Sequence, residues 1–241
     1  MSTSSPTFSV RGIDVEVVYK DIKNLHIGVY PPHGKVRVAA PARLDQEQVC
    51  LAVIQRLPWI KRHRQQLQEA ARQTPREMVT GESHYVWGKR LRLMVIEQPG
   101  PARVTADGER LRLLCPPGSS LEYRLVQLED WRRAELRQRL QVLITKWEPV
   151  IGRQVPYWNI RKMKTRWGTC NTGNSRIWFN LDLAQKDPRC VEYVVVHELA
   201  HLLERLHNDR FVALMDGFMS DWRQRRDELN RAPLGHEEWT C

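Results

Sequence analysis

The 241-residue chain has no apolar run of about 18 residues, the length a membrane-spanning helix needs, so no span is expected. It also lacks any C-x-x-C pair. Its five cysteines, Cys50, Cys115, Cys170, Cys190 and Cys241, are odd in number and scattered, which leaves no basis for a disulfide framework. Reduced thiols in a cytoplasmic protein are the expectation. No Walker-type glycine-rich loop occurs, so a P-loop nucleotide site is excluded. No internal repeat or low-complexity tract stands out. Met1-Ser2-Thr3-Ser4-Ser5-Pro6 has no basic stretch followed by an apolar one, so residues 1–7 read as a disordered leader, not a signal peptide.

Acidic residues are in the minority, and the net charge is +10. Such a surface attracts nucleic acid, nucleotides or acidic proteins through its long-range field. Much of the arginine, however, alternates with Glu and Gln along helical segments, where a solvated basic face is the ordinary outcome. The nine tryptophans mostly suit a core, with some free to line a groove.

Residues 8–41 alternate apolar and polar side chains in three stretches, Ile13–Val17, Leu25–Val29 and Val36–Val38, and are expected to form a small β meander. Residues 45–73 read as helical, with Asp45 as cap and Pro58 dividing the segment into two helices. Strands return over 82–115, with turns at Gly88 and Asp107-Gly108. Cys115-Pro116-Pro117-Gly118 breaks the pattern. A division is therefore expected there, between a β-rich region, 8–118, and a catalytic domain, 119–232, with a loose tail at 233–241. A long helix is expected over 120–151, striped by Leu121, Leu125, Leu128, Leu136, Leu140, Leu143 and Trp147. Residues 155–183 read as strands. In the last of these Ile177, Phe179, Leu181 and Leu183 share one face, and Trp178, Asn180 and Asp182 the other. Further helices are expected at 209–219 and 221–231.

The chemistry concentrates in Val194-Val195-Val196-His197-Glu198-Leu199-Ala200-His201-Leu202-Leu203, opened by Asp187-Pro188, a cap followed by a first-turn proline. On a helix each residue turns about 100°, so His197 and His201 lie one turn apart on one face and can share a metal ion. Glu198 stands beside them, where it can take a proton from a water on that metal. A catalytic zinc takes three protein ligands and keeps one position open. Two residues could supply the third. Glu204 stays on the same face if the helix continues. His207 reaches the metal only if the helix ends near Arg205 or Leu206, and Asn208 or Asp209 can cap a new helix there. His207 is the preferred choice for a histidine-rich set. Cys170 and Cys190 are more remote candidates, and His26, His33, His63, His84 and His236 have no ligand spacing.

Lys164-Thr165-Arg166-Trp167-Gly168-Thr169-Cys170, Ile177-Trp178-Phe179-Asn180, the H-E-L-A-H-L run at 197–202 and His207-Asn208-Asp209-Arg210-Phe211 together resemble the YgjP-like metallopeptidases, which are related to the SprT-like zincins. The resemblance is strong over 155–230. Thr169 stands where the family commonly has Ser. The resemblance implies His197, His201 and His207 as zinc ligands and Glu198 as general base. It implies an α+β fold with a zincin-like catalytic half, a small antiparallel sheet packed on the active-site helix, after a mostly β N-terminal region. Arg166, as part of the motif, is a candidate to stabilise an oxyanion, its bland alternative being an ion pair within the hairpin.

The expected activity is that of a zinc metallopeptidase, with one Zn2+ per chain, other divalent metals being possible, acting on a peptide or protein. The strand 176–183 could offer an edge for an extended peptide, with Trp178, Asn180 and Asp182 shaping specificity. Two alternatives stand beside it. One is a metal-dependent nucleoside-triphosphate pyrophosphohydrolase, which uses the same metal and water. The other is a nucleic-acid-associated protein with structural zinc, which would ordinarily need a fourth protein ligand.

Overall fold

The computed structural model describes residues 7–30, 34–69, 76–163 and 166–231. They divide into two compact units, 7–69 and 76–231. The division falls before the second set of strands and not at 118, because those strands share a core with the long helix that follows them.

In the first unit, β1 (Thr7–Val10), β2 (Ile13–Lys20), β3 (His26–Tyr30) and β4 (Lys35–Pro41) form a sheet in the order β1-β2-β4-β3. This is not a meander: β4 lies between β2 and β3, parallel to β2 and antiparallel to β3. Val36, Val38 and Ala40 of β4 are fully buried, and a central position gives such a strand hydrogen bonds on both edges. α1 (Gln46–Glu69) covers one face with Val49, Val53, Leu57 and Ile60. Asp45 caps it reciprocally: its carboxylate accepts from Gln48 N–H at 2.8 Å, and its own N–H donates to the Gln48 side chain at 3.1 Å. Pro58 does not split the helix, because the buried stripe runs on either side of it and the proline removes only one backbone bond.

The second unit opens with β5 (Ser83–Val86), β6 (Lys89–Glu97), β7 (Arg103–Asp107) and β8 (Arg110–Cys115), in the order β5-β6-β8-β7. Then follows α2 (Leu121–Ile151), capped by Ser120 and closed by Gly152 in the left-handed conformation. Strand order, pairing senses and the following helix all repeat the first unit. Even the first hairpin turns agree, with Arg11-Gly12 and Trp87-Gly88 both at positive φ. The chain therefore carries a ββββα arrangement twice, a repeat that its residue identities do not display.

The second copy supports the catalytic half. Trp87 and Gly88 donate backbone bonds to Ala184 and Gln185 at 3.0 and 3.1 Å, and a Cβ on Gly88 would meet the backbone of Asp187 at 3.1 Å. Arg139 of α2 stacks on the Trp87 ring. The remainder comprises β9 (Tyr157–Arg161), β10 (Gly168–Asn171), β11 (Arg176–Asn180), a 3-10 turn (Leu181–Gln185), α3 (Pro188–Ala200), α4 (Asp209–Phe218) and α5 (Trp222–Arg231). Strand alternation ends at Asn180, and Leu181 and Leu183 are buried from the 3-10 turn instead. The three-stranded sheet, in the order β10-β11-β9, is mixed and not antiparallel: β11 pairs antiparallel with β10 and parallel with β9. Trp158, Ile160, Ile177 and Phe179 point from it into the main core, which α2 and α3 complete. Glu192 ties three helices together. It accepts from Lys146 and Trp147 of α2 and from Arg225 of α5, at 2.6, 3.1 and 2.7 Å. Burial alone would raise its carboxyl, but these partners hold it below the usual range.

His84 of β5 is fully buried, and among the described residues neither ring nitrogen has a hydrogen-bond partner. The Glu82 carboxylate lies 3.4 Å from Nε2 but is itself engaged by Arg76. Burial, then the charges of Arg76 and Arg132, lower His84 to about 3. It is neutral in the fold, whereas the unfolded chain protonates it near 6.5. Between those values the unfolded state binds the extra proton, so stability falls as pH drops below 6.5. Urea unfolding at pH 7.5 and pH 5 should show a larger acid loss for the wild type than for His84→Leu. Equal losses would refute this assignment.

The four described cysteines are free thiols. Among the described residues, no helix is long and apolar enough to cross a membrane.

Candidate metal centre

α3 starts as its sequence predicts, with Asp187 accepting from Arg189 N–H at 2.8 Å and Pro188 in the first turn. Val191, Val194, Val195, Val196, Leu199 and Ala200 bury it. It ends at Ala200, ahead of the expected Arg205 or Leu206. Leu202 and Leu203 bond back to Leu199 and Ala200 in the tighter i to i+3 pattern that satisfies a helix end. His201 is the C-cap, and the chain reverses through Leu206 to bring His207 back. Asn208 caps α4 by accepting from Phe211 N–H at 3.0 Å.

The early ending puts the two candidates for third place in different surroundings. Glu204 lies beyond the helix. Its backbone carbonyl faces His201 Nδ1 at 3.1 Å, and its carboxylate accepts from Leu206 N–H. It orients one histidine and shapes the reversal. His207 instead joins His197 and His201 in a cluster whose ligand atoms all lie within 4.8 Å of one another. The Phe211 ring, 2% exposed, lies 4.7 to 5.0 Å from all three imidazoles and forms the floor of the cluster. This contact accounts for the phenylalanine of the H-N-x-x-F run. Neither Cys170 nor Cys190 belongs to the cluster.

The donor set fits a divalent metal. His197 Nε2 and His207 Nε2 stand 3.1 Å apart, close to the spacing of about 3.3 Å between two nitrogens on a tetrahedral zinc. With Nδ1 of His201 held by a carbonyl, its Nε2 is left to coordinate, the arrangement that orients metal-bound imidazoles. Burial, together with the neighbouring imidazoles, lowers His197 to about 3, so its lone pair is available.

Glu198 is 5% exposed, and among the described residues its Oε2 has no hydrogen-bond partner. Burial pushes the carboxyl up to about 8, and the Arg166 guanidinium offsets part of that rise. Arg166 is thus brought near Glu198 and makes no ion pair within the hairpin among the described residues. A neighbour the sequence reading missed is Gly168. A Cβ there would lie 2.5 Å from Glu198 Oε1 and 2.6 Å from Cγ. The glycine between Arg166 and Cys170 clears the space this carboxylate occupies. Asn180, 4% exposed, holds the connection from β9 to β10. Its amide bonds the backbone of Met163 and Arg166, and its own N–H donates to Trp167 at 2.9 Å. Lys186, 4% exposed, packs over the Trp167 ring.

Imidazoles gathered at a helix end beside a buried carboxylate are the equipment of a metal-dependent hydrolase. The comparison with protein families agrees: the profile of the YgjP-like metallopeptidase domain matches residues 24–232, and the chain belongs to that family. Comparison with curated proteins finds no match. Among solved structures, the metallopeptidase zymogen of Pyrococcus abyssi abylysin is 20% identical over 37% of this chain and 90% of its own, with a TM-score of 0.34, a likeness too slight to bear on the site.

Proposed function

We propose that this protein is a zinc metallopeptidase in which His197, His201 and His207 hold one Zn2+ and Glu198 is the general base. The observation that carries the peptide specificity is the free edge of β10. The expectation that the strand 176–183 supplies that edge is corrected by the sheet order, since β11 is central and Asn180 is buried. Among the described residues β10 pairs only with β11, and its Gly168 touches Glu198. A peptide extended along β10 would form backbone bonds there and pass its carbonyl beside Glu198.

A divalent metal in the histidine cluster supplies Lewis acidity and lowers the pKa of a water it binds toward about 7. With a metal held by His197, His201 and His207, Glu198 would accept the proton of the attacking water and deliver it to the departing amine nitrogen. Arg166 supplies positive charge near the oxyanion.

A second reading, hydrolysis of a nucleoside triphosphate, is favoured by the same Arg166 charge beside Glu198 and by the basic run 161–166. The two are separated by assaying metal-loaded enzyme on unfolded protein, a mixed peptide library and nucleoside triphosphates. Peptide cleavage that chelation abolishes and zinc restores supports the peptidase. Pyrophosphate release with no peptide cleavage overturns it.

The ligand set has its own test. His207→Ala should weaken zinc binding by more than about a hundredfold, since even outer-shell partners of a zinc are worth 10- to 100-fold. Unchanged zinc affinity in a competition titration would remove His207 from the set.

A further inference from the structure

The outer face of the three-stranded sheet points away from Glu198. Register brings Tyr157 of β9 beside Arg176 of β11, and Asn159 of β9 beside Trp178 of β11. The Tyr157 and Trp178 rings meet edge to face at 5.9 Å. The Arg176 guanidinium lies 5.2 Å from the Tyr157 ring, and that of Arg161 lies 5.3 Å from the Trp178 ring. Both arginines are exposed, and Tyr157 is 40% exposed. Along the β9 edge, Arg137 donates to the Asn159 side chain at 2.9 Å and Arg133 to the Ile160 carbonyl at 2.9 Å.

No Asp or Glu occurs in any of the three strands. Among the described residues, none of Arg133, Arg137, Arg161 and Arg176 has a carboxylate partner. Six arginines elsewhere, Arg37, Arg76, Arg124, Arg189, Arg223 and Arg225, are paired with acids, whereas others such as Arg43 and Arg92 bond backbone carbonyls. Two exposed guanidinium groups, Arg161 and Arg176, lie over the Trp178 and Tyr157 rings on this face, and Arg133 and Arg137 of α2 add positive charge along its β9 edge.

We propose that this face, centred on Tyr157 and Trp178 between Arg161 and Arg176, binds single-stranded nucleic acid. Guanidinium groups take phosphates through paired N–H donors. Aromatic rings between them offer stacking surface to unpaired bases, which is sequence-tolerant because every base has a π face. A duplex would satisfy the arginines but has no free base for the rings. An acidic peptide would likewise leave Tyr157 and Trp178 unused. The surface lies on the opposite side of the sheet from Gly168 and Glu198, so the proposal stands or falls independently of the peptidase reading.

The test is fluorescence anisotropy on the full chain with a labelled oligothymidylate of about 15 nucleotides, the matching duplex and polyglutamate as competitor. Titrations would span about 50 to 200 mM salt. Wild type should bind the single strand in preference to both others, with affinity falling steeply in salt. The double variant Arg161→Gln/Arg176→Gln should lose about tenfold or more at low salt, and its log–log salt slope should shrink by about 1.4, at about 0.7 per phosphate contact. Trp178→Leu should weaken binding at least about fivefold with the slope unchanged. Should Trp178→Leu fail to fold, the double variant decides, because both its side chains are exposed. An unchanged slope in that variant, duplex bound as tightly as single strand, displacement by polyglutamate at equal charge, or no binding at low salt would each overturn the proposal.

Discussion

Glu198→Gln should lower kcat for peptide hydrolysis by about a thousandfold or more and leave the zinc in place. General-base catalysis contributes about 10²- to 10⁴-fold, and the amide that replaces the carboxylate cannot accept the proton. Glutamine is nearly isosteric, and among the described residues Glu198 Oε2 has no hydrogen-bond partner whose loss would disturb the fold. Folding should therefore be unimpaired. The measurements are metal content per chain, kcat on a cleaved peptide and the unfolding midpoint. A variant that keeps more than a tenth of wild-type kcat would remove Glu198 from the role of base. A variant that loses its zinc would show that Glu198 holds the histidines in place.

Gly168→Ala should cost about a hundredfold in kcat, again with zinc retained. The backbone at Gly168 is not in the left-handed region, so an alanine there carries no conformational penalty. The whole effect comes from the added methyl, which would stand 2.5 to 2.8 Å from three atoms of the Glu198 side chain. Glu198 cannot retreat, because α3 is packed behind it by Val195, Val196 and Leu199, each fully buried. The carboxylate must rotate away from the reacting water or β10 must shift, and overpacking of this kind costs about 1–3 kcal/mol of stability. A displacement of about 1 Å at the base is enough for a hundredfold loss. Gly173→Ala is the control. Gly173 lies in the β10–β11 turn, the nearest atom to its added Cβ is Asn171 Oδ1 at 3.4 Å, and its kcat should match wild type. If Gly168→Ala were as active as Gly173→Ala, the contact with Glu198 would have no catalytic meaning.

Local features were legible in the residues. Asp187-Pro188 starts a helix because a side-chain cap and a residue without N–H suit positions whose backbone donors are unpaired in any helix. The hairpin turns at Gly88 and Asp107-Gly108 were readable for a similar reason, since a turn depends on the residues within it. The histidine spacing placed His197 and His201 on one face, and Asn208 was readable as the cap that frees His207 to turn back. The helix ends ahead of Arg205 without a sequence signal, because the reversal after Ala200 contains neither Gly nor Pro and is held by backbone bonds and the Glu204 side chain.

What the chain alone determined is a set of residues and their local geometry: a histidine pair and a glutamate on an apolar helix and a third histidine after a break. Tertiary structure decided the rest. It put β4 between β2 and β3, made β11 central and left β10 as the edge, repeated the ββββα arrangement with dissimilar residues, and set Gly168 against Glu198. These depend on which strand neighbours which across tens of residues. The period-two pattern of a strand says which side chains face the core but nothing of its partner. The space a glycine leaves acquires meaning only when another segment fills it.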